Sequence, residues 1–315
     1  MKISLFDSHC DTAYNLYHQN ARLDYNESCH VSLERAACYE RYAQFYAIWS
    51  HKRLDDEACW QAFLNISDYF KTELDRLSAK VVQVTCGSDL ETAVTEGKHA
   101  AILAVEDARL TAGRLERLDE MYARGVRYLT LLWGGDTCIG GSHDTQNGLT
   151  DFGKKLVRRC FERGIIPDVS HASEQSVDDL LSAAYEYRKP FMASHSNTHA
   201  VYGHSRNLRD RHFAALRELG GMVGINLCSS HLADTSLREA TAEDIFAHIE
   251  HYLSLGGEDC VGFGADWDGA GLPQGFSHVG DMTRLAELMA RRNYSDQLIN
   301  KLFWENTYQF AMKNL

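Results

Sequence analysis

Eight short apolar segments recur along this chain, separated by stretches of helical periodicity, and that alternation constrains the fold more than any other feature. Strands are read at 3–6, 43–49, 100–105, 128–132, 165–169, 191–193, 222–227 and 260–264. Amphipathic helical patterns lie between them, at 55–77, 115–124, 151–163, 174–184, 211–219 and 242–255. Gly125, Gly164 and Gly256 follow three of these patterns, where a left-handed residue commonly stops a helix. The strand segments lack the alternation of a half-exposed sheet, so both faces are buried, as in a parallel sheet with helical crossovers. Eight such units predict a closed (β/α)8 TIM barrel rather than a doubly wound sheet. Residues 81–86 are read as a small extra strand that interrupts the pattern. No Pro/Gly-rich linker, repeat or low-complexity tract divides the 315 residues, so one domain over 1–315 is expected.

Charge and cysteine usage narrow the partners. A net charge of −12 repels nucleic acid and anionic membrane surfaces, and neither is expected as a partner. No apolar run reaches the ~18 residues of a membrane span, and the N-terminal segment lacks the apolar core of a secretory signal. The nine cysteines are odd in number and form no CxxC pair, which fits free thiols and a cytoplasmic location. No exposed apolar stripe marks an interface, and a homodimer is expected only because barrels commonly form them.

The chemical signal lies where strands end, since barrels of this kind build their sites at the C-terminal face. Strand ends deliver His9 and Asp11, Glu106, His171, His195, and Asp266 with Asp268. Any one of these alone is better read as a surface turn, a mouth salt bridge or a core histidine. Five strand ends converging on one ring give the set its meaning. On an extended strand His9 and Asp11 share a face, with Cys10 turned away into packing. Imidazole and carboxylate donors without a thiolate motif favour Zn²⁺, with other divalent transition metals as substitutes. Five ligands exceed the usual three of one catalytic zinc, and suit two ions roughly 3.5–4 Å apart that share a carboxylate and a water. Glu106 is the expected bridge, with His9 and Asp11 on one ion and His171 and His195 on the other.

These residues sit in motifs that resemble the membrane (renal) dipeptidase family, peptidase family M19. The landmarks are FDSHCDT at 6–12, AVED at 104–107, DVSH at 168–171, ASHSNTHAV at 193–201, SRNLRD at 205–210 and GFGADWDG at 262–269. The segment HVSLERAACYERYAQFYAIW at 30–49 is a weaker match. The resemblance implies a metal-dependent hydrolase barrel with two zinc ions that cleaves dipeptides, often with a D-residue on the C-terminal side. It implies the same five ligands, Asp266 as the catalytic carboxylate that takes a proton from the bridging water, and Arg206 as the grip on the substrate carboxylate. An Arg fork matches a planar carboxylate.

Three places depart from the family pattern. Trp133 stands where better-known members carry a substrate-touching His, and is expected to bind or wall the substrate. Asn226-Leu227-Cys228 lacks an aromatic hydroxyl, and Asp107-Ala108-Arg109 replaces small residues. Hydrolysis of another small amide on the same metals, or a non-catalytic metal-binding barrel, are the alternatives. His199, His204 and His231 are expected near the mouth, with surface or structural roles as the default.

Overall fold

The computed structural model describes residues 2–50 and 53–315. Nine strands run through it: β1 (Leu5–Cys10), β2 (Tyr42–Ile48), β3 (Val81–Gln83), β4 (His99–Glu106), β5 (Val126–Thr130), β6 (Ile166–Asp168), β7 (Met192–Ala193), β8 (Met222–Ile225) and β9 (Val261–Phe263). All pairings between them are parallel. The order β2-β1-β9-β8-β7-β6-β5-β4 is closed by a β2–β4 pairing, which makes an eight-stranded barrel. β3, the small strand expected within 81–86, lies outside this ring. It pairs with the start of β4 at His99–Ala101, below the point where β5 takes over that edge at Leu103.

Side-chain parity shows how the barrel is filled. Ala100, Ile102 and Ala104 on β4 join Ala43, Phe45 and Ala47 on β2 in one interior cluster with Phe6, Tyr128, Ile166, Met192 and Met222. Trp304, Phe310 and Ala311 of the C-terminal helical segment complete that cluster, and Trp304 packs on Phe6 at 5.7 Å between ring centroids. The alternate residues Leu103, Val105, Tyr42, Tyr46 and Ile48 belong to the outer cluster shared with the surrounding helices. The apolar runs therefore lack polar alternation because both faces are covered. Glu106 continues the inward parity of β4, so the strand itself aims a carboxylate into the mouth.

Strand β1 does not follow simple alternation. Asp7 pairs with Gln44 but Cys10 with Tyr46, so three steps of β1 answer two of β2. This bulge reverses parity: Phe6 faces the interior, yet Cys10 packs in the outer cluster. Asp7 bonds Gln44 and Trp267 outside the barrel, while His9, two residues on, meets Glu106 inside. Asp11 lies beyond the strand, at φ −95° and ψ 15°, where the helix Thr12–Gln19 begins. The expectation of an extended His9-x-Asp11 pair is corrected on this point. Bulge and helix start, rather than pleat, bring the two side chains together.

Candidate active site

The strand ends surround a cavity of about 560 Å³ lined by Asp11, Glu106, Trp133, His171, Arg206 and Asp266, among others. Glu106 lies at the centre of the donors. One of its oxygens, Oε1, is 2.9 Å from His171 Nε2, 3.4 Å from His195 Nε2 and 3.8 Å from His9 Nε2. His9 Nε2 is also 3.8 Å from Asp11 and 3.9 Å from Asp266. The five residues expected from strand ends, and Asp266 with them, are thus brought together.

Each histidine is held by its other nitrogen, and the partners fix the tautomer. The Tyr128 hydroxyl donates to Ser8 O, so it accepts from His9 Nδ1 at 2.8 Å. Ser194 Oγ donates to Asp168, so it accepts from His195 Nδ1 at 2.7 Å. His171 Nδ1 lies 3.0 Å from Trp133 O, a carbonyl that can only accept. All three rings therefore carry hydrogen on Nδ1 and turn Nε2 toward Glu106. His171 Nε2 and His195 Nε2 then face each other at 3.0 Å, an arrangement that calls for a proton or cation between two lone pairs. His9 Nε2 and Asp11 Oδ1 are buried with no hydrogen-bond partner. Three donor groups emerge within ligand reach: Glu106-His171-His195, His9-Asp11-Glu106 and His9-His195-Asp266. Glu106 belongs to the first two, and the donor chemistry fits divalent metal ions.

The electrostatics agree. Burial, then the Asp11 charge, holds the Glu106 carboxyl well above the usual carboxylate range, and burial raises Asp266. Burial, with the nearby cations, pushes His171 and His195 well below the usual imidazole value. Burial also works against charge on His9, but Glu106, Asp11 and Asp266 outweigh it and lift that ring to about 10. Three carboxylates thus crowd the Nε2 of one buried imidazole, a cluster short of positive charge that a divalent cation would supply.

Behind the donors stand two buried carboxylates that sequence reading did not single out as site residues. Asp7 accepts from His9 N at 2.9 Å, Gln44 Nε2 at 3.0 Å and Trp267 Nε1 at 3.1 Å, and burial lifts it to about 6. Asp168 takes Thr130 Oγ1 at 2.5 Å, Ser194 N at 2.8 Å and Ser194 Oγ at 2.6 Å. The available signal was an Asp inside an otherwise apolar strand end. Asp268 accepts from Thr12 Oγ1 and His30 N, so it supports the loop. Four residues here hold a left-handed backbone without being glycine: Asp107, His171, Asp266 and Asp268. Such strain gathers where function over-determines geometry.

The remaining expectations sort clearly. Arg206 is buried at the cavity wall, and its guanidinium donates through Nη2 to His195 O at 3.5 Å. Its Nε has no partner, and no carboxylate within ion-pair distance meets it among the described residues. Trp133 lines the cavity, with its ring 6.1 Å from that of His171 and its carbonyl anchoring the same residue. Asn226 donates to Asp266 Oδ2 at 3.2 Å, and Cys228 lines the wall. Asp107 and Arg109 pair with each other in a turn after β4. His231 lines the same cavity, His199 lines a neighbouring one, and His204 packs on His231 at 4.9 Å. All nine cysteines are free. No helix among the described residues is long and apolar enough to cross a membrane.

Comparison with known proteins meets this geometry. Residues 1–313 match the family model for membrane dipeptidase, peptidase family M19. An uncharacterized protein in the pqqA 5' region of Klebsiella pneumoniae is 31% identical over 238 residues, which cover 72% of this chain and 86% of that one. A metallo peptidase from Rhodobacter sphaeroides, liganded with a phosphinate mimic of the dipeptide L-Ala-D-Ala, superposes with a TM-score of 0.91 at 28% identity, over 100% of both chains. The dipeptidase AC, also a metallo peptidase, superposes with a TM-score of 0.92 at 28% identity, over 100% of this chain and 99% of that one. The family model spans nearly the whole chain, and the barrel mouth holds a metal-ready donor set: this protein belongs to the membrane dipeptidase family of metallopeptidases.

Proposed function

We propose that the chain, acting as one barrel domain over 1–315, is a zinc-dependent dipeptidase with two ions at its mouth. Its substrates are free dipeptides, including those with a C-terminal D-residue. The observation that carries the dipeptide reading is Arg206: a buried guanidinium with an orphaned Nε, facing the same cavity as the metal-ready donors. A buried unpaired cation is costly, and a substrate carboxylate removes that cost. The similarity to a protein solved with a dipeptide mimic supports the same class.

His9 and Asp11 would hold one ion, His171 and His195 the other, with Glu106 between them. Bound ions supply Lewis acidity and a water acidic enough to attack near neutral pH. The chain's own residues do the rest. Arg206 grips the terminal carboxylate in a forked geometry and so places the scissile amide over the donors. Asp266, its Oδ2 held by Asn226, keeps Oδ1 toward the site, where it accepts the proton of the attacking water and returns it to the leaving amine. Trp133 walls the cavity and fixes His171 through its carbonyl.

The test is turnover of a panel of L-Xaa-L-Xaa and L-Xaa-D-Xaa dipeptides by zinc-loaded protein, with Arg206→Ala alongside. The expected result is hydrolysis by the parent, and a loss on the order of 100-fold in kcat/KM in the variant, mostly through KM. No hydrolysis by fully metallated protein overturns the reading. Activity indifferent to Arg206 overturns the carboxylate clamp.

A further inference from the structure

His143 belongs to the wall of the substrate cavity. A second cavity of about 450 Å³ adjoins it, and His143 is the lining residue that the two share. The 205–207 segment straddles the same partition: Ser205 and Asn207 line the second cavity, while Arg206 between them lines the first. His143 is pinned in place. Its backbone N–H donates to His171 O at 2.7 Å, and its Nδ1 lies 3.0 Å from Ser205 Oγ. Its ring centroid is 5.8 Å from that of His171. Loop, metal-site strand and carboxylate-binding segment therefore meet at this ring.

The second cavity is polar but its charges are already matched. Arg209 pairs with Glu174 at 2.6 Å, and Arg211 pairs with Asp178 at 2.5 Å. It offers no rival to Arg206 for a carboxylate. It does offer room for chain beyond the residue whose carboxylate Arg206 holds.

We propose that His143 is the specificity-determining residue that limits the substrate to two residues, as a Ser205-braced partition closing the cavity behind the Arg206 clamp. This rests on the dipeptidase reading. A third residue would have to pass through the ring of His143 to reach the space beyond. Removing the ring joins the two cavities, whereas an isosteric apolar ring keeps the wall and loses only the polar contact.

The experiment compares kcat/KM for a tripeptide and for the dipeptide it extends, in zinc-loaded parent, His143→Ala, His143→Phe and Ser205→Ala proteins, with metal content measured for each. In His143→Ala the tripeptide-to-dipeptide ratio should rise on the order of 10-fold or more at unchanged metal content, as expected when a steric exclusion is lifted. His143→Phe should keep the parental ratio, and Ser205→Ala should fall between. An unchanged ratio in His143→Ala overturns the inference. So does an equal rise in His143→Phe, which would make the polar contact the determinant, or a change that tracks metal loss, which would make His143 a support for His171. Failure of the parent to hydrolyse any dipeptide overturns the dipeptidase reading, and this inference with it.

Discussion

The two ends of the barrel are built on opposite terms. At the N-terminal end Phe6, Phe45 and Ala43 meet Trp304 and Phe310 in a buried apolar cluster. At the C-terminal end the barrel presents three buried carboxylates, three imidazoles that turn Nε2 toward Glu106, and a buried guanidinium without an ion-pair partner among the described residues. Left-handed non-glycine backbone also appears there, at His171 and Asp266. The closed end can be read as packing energy. The mouth makes sense only with partners added: it spends stability that the closed end supplies, and recovers it when metal and substrate bind.

That contrast can be broken from either side. The largest effect should follow Glu106→Ala, since one oxygen serves three imidazoles. Turnover should fall by on the order of 1,000-fold or more, with reduced zinc content and an unfolding temperature that no longer responds to zinc. A variant that keeps full zinc and activity would remove Glu106 from the centre of the site. At the other end, Phe6→Ala should cost about 3–5 kcal/mol in chemical denaturation while the folded fraction keeps its kcat/KM. Parallel losses in both quantities would show that the ends are not separable.

A smaller effect comes from the loops that close the mouth. His248 is buried, accepts from Thr198 N at 3.2 Å through Nδ1 and donates to Leu232 O at 3.1 Å. Burial lowers this ring to about 4. The unfolded chain, with an ordinary imidazole, takes up a proton near pH 6.5, but the folded one only near 4. Stability from this residue is therefore complete above pH 6.5 and is lost as pH falls toward 4, by up to about 3 kcal/mol. Denaturation of metal-free protein across that range, compared with His248→Gln, should show a flatter acid limb in the variant. Identical pH profiles would refute it.

Much of this contrast was legible in the sequence, for physical reasons. A strand buried on both faces must be apolar along its length, so the eight barrel strands stood out as runs, and the polar residues ending them marked the mouth. The bulge in β1 was not legible, because Asp7-Ser8-His9-Cys10-Asp11 reads equally well as simple alternation. Only pairing with Gln44 and Tyr46 reveals the parity change. The buried roles of Asp7 and Asp168 were hidden for a related reason: an Asp at a strand end looks like a ligand or a turn until its donors are seen. Tyr128 and Ser194 could not be tied to His9 and His195 from sequence, since the links span 119 residues in one case and are set by rotamer in the other. His143 lay in a glycine-rich loop that carries no periodicity.

In the proposed enzyme, Nε2 of three histidines and the carboxylates of Asp11 and Glu106 form one two-metal site. Anomalous diffraction at the zinc edge from zinc-loaded crystals tests it most directly. Two peaks are predicted, one beside His9 Nε2 and Asp11, the other beside His171 and His195 Nε2, with Glu106 touching both. A single peak, ligation through Nδ1, or zinc held by Asp268 or Cys228 instead would contradict the account.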